Sequence, residues 1–315
     1  KPVHPRIVIL AIDNESIQKI GQWPWPRSVF AEALQKLNTY SPKAVGIDVI
    51  FAEQSQRGAS DDKKLENVLK NISYPTILPI EATPLRISDG KPVAEVFLQT
   101  LPPLWKNNPN VYVGHVNLIL DADGVVRSLP VTIQAKTPYN AFAYEVSKKS
   151  GLTIPNEANL PDILRIVYAG ETGSIKRIPF WRVLEDDLSK NLENSVVLIG
   201  ATAADLHDEK PTPLSRGTQM PGVEIQATIV SQLLSGYRLL PLSFWPTLGW
   251  IFTAVILSAL MFILFERSLK PLVANILLGL LHVLAVIIFF EKGIASNMLH
   301  ISGAWVLSTS SLFSY

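Results

Sequence analysis

Asp13, Asp48, Thr202 and Asp205 each stand in or just after a run of apolar residues that reads as a buried strand. In open α/β sheets, polar groups beyond the carboxyl ends of parallel strands are where ligands gather. Trp23, Trp25 and Arg27 follow Asp13 within one short segment, and aromatic walls with a few polar groups are the ordinary chemistry of a small-ligand cavity. These seven residues are the candidate binding set, expected to line one pocket. A structural alternative stands beside it, in which Arg27 pairs with Asp13 or Asp48 and the tryptophans fill a corner of the core. Asp121-Ala122-Asp123-Gly124 opens like a calcium loop, but the twelfth position from Asp121 is Thr132, where that pattern requires Glu. A hairpin turn explains Asp and Gly there more simply. Leu206-His207-Asp208-Glu209 offers oxygens and one imidazole, and reads as a solvated polar loop. The motifs of serine hydrolases, zinc proteases and phosphate loops are missing, and Ser16, His115 and Asp13 have no spacing that makes them a triad. No catalytic residue, metal or cofactor is therefore assigned.

The elements that must position the candidate set alternate between strand and helix. Ile7–Ile12 is a continuous apolar run, as in a strand covered on both faces. Trp23-Pro24-Trp25-Pro26 forms a rigid turn, and Arg27–Tyr40 places Phe30, Leu34 and Leu37 on one helical face. Ala44–Phe51 is a second strand, so strand, helix and strand predict a parallel crossover. Asp61–Asn71 reads as a helix capped by Asp61 or Asp62, and Pro75–Ile80 as a strand. Residues 81–110 look irregular. Val111–Leu120 and Val125–Ile133 are the expected arms of a hairpin around the Asp121–Gly124 turn. Further on, Tyr139–Ser150 is helical, Ile163–Tyr168 a strand, Pro179–Asp187 a short helix, Ser195–Ile199 a buried strand, and Val223–Ser235 a helix.

Charge divides the chain. Lys+Arg 28 nearly balance Asp+Glu 27, which leaves no electrostatic footprint for nucleic acid. From Leu242 to Tyr315, however, only five residues are charged: Glu266, Arg267, Lys270, Glu291 and Lys292. Three uncharged stretches, about 242–265, 271–290 and 298–315, have the roughly 20-residue length of a membrane span. Charges fall only in the connectors, as their cost at mid-membrane depth requires. The short connector from Glu266 to Lys270 carries two basic residues against one acidic, which points it to the cytoplasm and residues 1–240 to the outside. With no cysteine, neither a disulfide framework nor a thiolate metal site is possible.

Several blocks, in order, resemble the type-two CHASE domain, a sensory extracellular domain associated with cyclases and histidine kinases. They are Ile12-Asp13 with Ser16, the Trp23–Arg27 block, and Gly46-Ile47-Asp48-Val49-Ile50-Phe51. Gly114-His115-Val116-Asn117 and Asp121–Arg127 follow, then Leu198–Thr202, Thr212-Pro213 and Met220-Pro221-Gly222-Val223-Glu224. The similarity spans residues 6 to about 238. It implies a membrane helix before Lys1 and a cytoplasmic cyclase, histidine kinase or Ser/Thr kinase after Tyr315. It also implies a homodimer, but hands over no binding site.

The expectation is therefore an α/β domain over residues 1–240, its mostly parallel or mixed sheet flanked by helices. An all-α transmembrane segment of three helices follows over 241–315. The function expected is sensory input from an unidentified small-molecule or protein stimulus, with the lipid bilayer as a partner, relayed through a helix nearly continuous with the first span. A membrane-anchored extracytoplasmic hydrolase is the alternative, and a transporter is disfavoured because His282 and His300 are the only ionisable residues within the spans.

Overall fold

The computed structural model describes residues 2–106, 108–241, 244–264 and 270–295. The chain divides into two compact units after Tyr237.

In the first unit the main strands are β1 (Ile7–Ile12), β2 (Ala44–Asp48), β3 (Thr76–Ala82), β4 (Phe97–Gln99), β5 (Val111–His115), β6 (Val126–Pro130), β7 (Ile163–Arg165), β8 (Arg177–Pro179) and β9 (Val196–Ala201). Its main helices are α1 (Asn14–Ile20), α2 (Arg27–Tyr40), α3 (Ala59–Asn71), α4 (Phe142–Lys149) and α5 (Gly222–Ser235). The central sheet runs β8-β1-β9-β2-β3, with β5 on the outer edge of β3 and β4 pairing with the end of β3 on its other side, past the end of β2. Every pairing is parallel except β3 with β4. The fold is thus mixed α/β, with the sheet flanked by helices.

Strand alternation sorts the core into two layers. Val8, Leu10 and Ile12 of β1 join Val45, Ile47, Val197 and Ile199 in a cluster with Phe30, Leu34 and Leu37 of α2 and Leu65 of α3. Ile7, Ile9 and Ala11 join Ile77, Val196 and Leu198 in a second cluster, with Phe142 and Val146 of α4 and Val223, Ala227 and Val230 of α5. All six residues of β1 are buried, which is why its sequence carries no polar alternation.

β1 and α2 have the bounds expected from sequence. Other elements do not. β9, far along the chain, inserts between β1 and β2, so the first crossover does not join neighbouring strands. The run Val111–Leu120 is not one hairpin arm: β5 pairs in parallel with β3, and only Ile119–Leu120 pairs with β6. The segment expected to be irregular holds β4, a small hairpin of 86–88 with 91–93, and a helical turn at Pro102–Trp105. α1 and the edge strand β8 carry no periodic signal and were not expected.

α5 ends at Ser235, where Gly236 adopts a left-handed conformation (φ 68°) and its N–H donates to Leu233 O. A helix running on from α5 toward the apolar segment is therefore ruled out by the backbone itself. The second unit contains α6 (Phe244–Leu264) and α7 (Lys270–Glu291), with a short parallel pairing of Leu240–Pro241 and Ile294–Ala295. Among the residues whose side chains are described, no helical stretch is both long and apolar enough to cross a membrane. The connector at 265–269 and the third expected span at 298–315 lie outside the described residues.

Candidate functional site

Because β1, β9, β2, β3 and β5 run in parallel, Asp13, Thr202, Asp48, Glu81 and His115 all come to the carboxyl edge of the sheet. The sheet then separates the expected set. Trp23, Trp25 and Arg27 line a cavity of about 440 Å³ beside α2, whereas Asp48 lines another of about 330 Å³ beside α5. Asp13, Thr202 and Asp205 line neither. One pocket lined by all seven residues is not what the fold builds, since alternate positions along a strand face opposite layers.

On the α2 side the aromatic residues are mainly architectural. Trp25 is 2% exposed, its ring lies 5.1 Å from that of Phe180, and its indole N–H donates to Gly21 O at 2.8 Å. Trp23 stands edge-on to it at 5.3 Å. Arg27 pairs with neither Asp13 nor Asp48. Its guanidinium lies 4.5 Å over the Phe51 ring, donates to Glu53 O at 2.9 Å and meets Asp62 at 3.5 Å. Asp61, one of the two residues expected to cap α3, instead caps α2: its carboxylate accepts from the Arg27 and Ser28 amides at 2.7 and 3.0 Å, and from Ser55 Oγ at 2.6 Å. No cap at α3 is left to it, because that helix begins earlier, with Gly58 as N-cap.

Burial alone would raise the Asp61 pKa, but hydrogen bonds from Ser55, Arg27 and Ser28 bring it below the usual carboxylate value. Asp61→Ala should therefore lower unfolding stability by about 1.5–3 kcal/mol, the worth of hydrogen bonds to a charged acceptor. The folded pKa is the depressed one, so this stability is fully present above the unfolded-state pKa and fades as pH falls through the folded value. Urea unfolding of wild type and variant should give midpoints that converge in acid; a gap independent of pH would refute the assignment.

Asp13 is likewise occupied, accepting from the Ser16 amide at 2.8 Å as the N-cap of α1. Thr202 donates its own amide to Ile12 O at 3.0 Å, and Asp205 is exposed. The Ser16 hydroxyl is buried between Ala11 O and the Trp181 amide, each 3.3 Å away. His115 is 1% exposed, burial pushes its pKa down to about 3, and neither ring nitrogen has a partner among the described residues. Ser16, His115 and Asp13 therefore share no hydrogen bond. The Asp121–Gly124 segment is a turn, closed by Gly124 N–H to Asp121 O at 2.8 Å. Arg127 holds Asp121 and Asp123, each at 2.9 Å. Among the described residues no group of three His, Cys, Asp or Glu could hold a metal ion.

The α5 cavity is the better-built site. Asp48 from the end of β2, Glu81 from β3 and Asp208 from the loop after β9 supply three carboxylates, and Lys210 one cation. Asp48 is half-buried; desolvation first, then Asp208 and Glu81, push its pKa up to about 7 against the pull of Lys210. Burial also raises that of Asp208, again with Lys210 opposing and Glu81 adding. Two glycines make room here. A Cβ at Gly200 would meet Val223 Cβ at 2.6 Å, and one at Gly222 would meet Asp208 Oδ2 at 2.6 Å. Asn117 clamps the end of β3, accepting from Ala82 N at 2.8 Å and donating to Ala82 O at 2.9 Å. Sequence reasoning missed Glu81 and Gln226, and set Asp208 aside as part of a solvated loop. Glu81 lay at an uncertain strand end, and Gln226 in a helix read as a connection.

These blocks are the ones that resemble a known family, and the CHASE2 domain family matches residues 1–264. The chain belongs to the CHASE2 family. No curated protein and no solved structure matches it. CHASE2 is a sensory extracellular domain family of signalling receptors, not a catalytic one. Gly200, Gly222 and Asn117 thus have structural work within the CHASE2 fold, which frames the cavity without assigning it a ligand.

Proposed function

We propose that this chain is the input module of a membrane-anchored receptor, its α/β unit outside the cytoplasm and its apolar helices in the bilayer. The match of residues 1–264 to CHASE2 carries this reading. The sequence of α6 and α7 supports it, over the 21 and 22 residues of the two helices. Neither has a charged residue between its ends, and Phe252, Ile256, Leu277 and Leu281 are all more than half exposed. The third span over 298–315 rests on sequence alone. A stimulus held at the carboxyl edge of the sheet, small molecule or protein, favours one arrangement of the domain, and the helices pass that bias to a cyclase or kinase in a homodimeric receptor.

The lack of cysteine makes a direct topology test available. In intact cells, a membrane-impermeant maleimide should label a single cysteine placed at Lys64 on α3. One at Ser268, in the basic connector, should react only after the membrane is opened. The reverse pattern would place the α/β unit in the cytoplasm and end this reading.

A further inference from the structure

We propose that the cavity between the ends of β2 and β3 and the first turns of α5 binds a small primary ammonium compound with a short apolar tail. The inference rests on reading the α/β unit as an input module and names what its cavity takes. Its acceptors come from four separate segments: Asp48, Glu81, Asp208 and Gln226. Gln226 is the independent pointer. It is 3% exposed, its Nε2 donates to Val116 O at 3.3 Å, and its Oε1 has no partner among the described residues. Turning the amide over would set oxygen against the Val116 carbonyl, so the unpaired atom is an acceptor, and a buried acceptor is satisfied by an arriving donor. An ammonium brings three donors and no acceptor.

The lining chemistry narrows the class. Three carboxylates against Lys210 disfavour an anion. Lys210 itself reaches Asp208 only at 3.8 Å, outside hydrogen-bond range, with its side chain 40% exposed. Among the described residues no metal-binding group forms, so a bare cation lacks its oxygen cage. An organic cation also covers Ile50 and Leu118 on the apolar wall, and about 330 Å³ suits a ligand at the small end of the usual range.

The test is calorimetric titration of the full chain in detergent with n-butylammonium chloride, beside n-butanol and sodium chloride at matched concentrations. At about pH 8.5, only butylammonium should bind saturably, and affinity should fall at about pH 5.5 as Asp48, facing Asp208, Glu81 and Lys210, takes up its proton. Asp208→Asn and Gln226→Met should each weaken binding about tenfold or more, as loss of one partner of a buried charged contact does. Lys210→Met should tighten it about twofold to fivefold, the worth of the exposed ion pair it releases. Heat no greater than that of sodium chloride overturns the proposal, as does binding that Asp208→Asn leaves intact. If that variant does not fold, unchanged or weaker binding by Lys210→Met overturns it equally. Binding is read without any signalling output, so failure here is separable from failure of the topology labelling.

Discussion

Gly114→Ala should cost about 3 kcal/mol or more, beyond the ordinary range for an inserted methyl group. Gly114 lies in β5 opposite Pro79, in ordinary strand register. A Cβ there would sit 2.6 Å from Phe142 Cα and 2.8 Å from Phe142 N. Those are backbone atoms of the first residue of α4, so no rotamer change removes the clash. α4 would have to lift as a unit, taking Phe142 and Val146 from the core between sheet and helices. Gly46→Ala is the informative contrast. Its Cβ would meet the Phe142 ring at 2.7 Å and Val146 Cγ2 at 2.9 Å, both side-chain atoms that can yield, and about 1–3 kcal/mol is expected. Urea unfolding of the full chain measures both. A Gly114→Ala loss no larger than that of Gly46→Ala would show that α4 is free to move, contrary to the packing described.

Arg177→Met should destabilise by about 3–5 kcal/mol, the cost of leaving one member of a buried ion pair alone. Glu224, in the first turn of α5, is 0% exposed. It accepts from the Gly173 amide at 2.9 Å, the Ile175 amide at 3.3 Å and Thr172 Oγ1 at 3.1 Å, and it is ion-paired with Arg177 of β8. Removing the guanidinium leaves a carboxylate with neutral donors and no access to water. The double variant with Glu224→Gln should recover a substantial part of the loss, because the uncompensated charge disappears with it. A double variant no more stable than Arg177→Met would show that the guanidinium acts through packing and not through charge. The same pair explains why Glu224 stands in the Met220–Glu224 block: it ties the loop at 172–175 to the helix that also carries Gln226.

Much of the candidate site was hidden because its residues signal only through distant partners. Asp61 has the sequence context of a cap for its own helix, yet it serves the helix that starts at Arg27. Trp25 and Arg27 suggested a ligand wall, but Phe180 and Asp62 occupy them. Gln226 sits in an apolar helix pattern where a polar residue is unremarkable until it is found, with an unpaired oxygen, lining the same cavity as three carboxylates. β8 is a three-residue edge strand ending in proline, too short to show any period.

By itself the sequence determined what short-range physics controls. The unbroken apolar run of β1, the heptad-like face of α2, the Asp-Gly turn at 121–124 and the uncharged stretches after Leu242 each follow from local pattern, steric preference or transfer from water. Only the tertiary structure decided strand order, with β9 wedged between β1 and β2, and hence which side chains meet. Asp48 and Asp208 face one cavity because β2 and β9 are neighbours, and Gln226 joins them because Gly200 and Gly222 let α5 close on the sheet. Such contacts depend on the register of segments far apart in the chain, and no local window of residues contains that information.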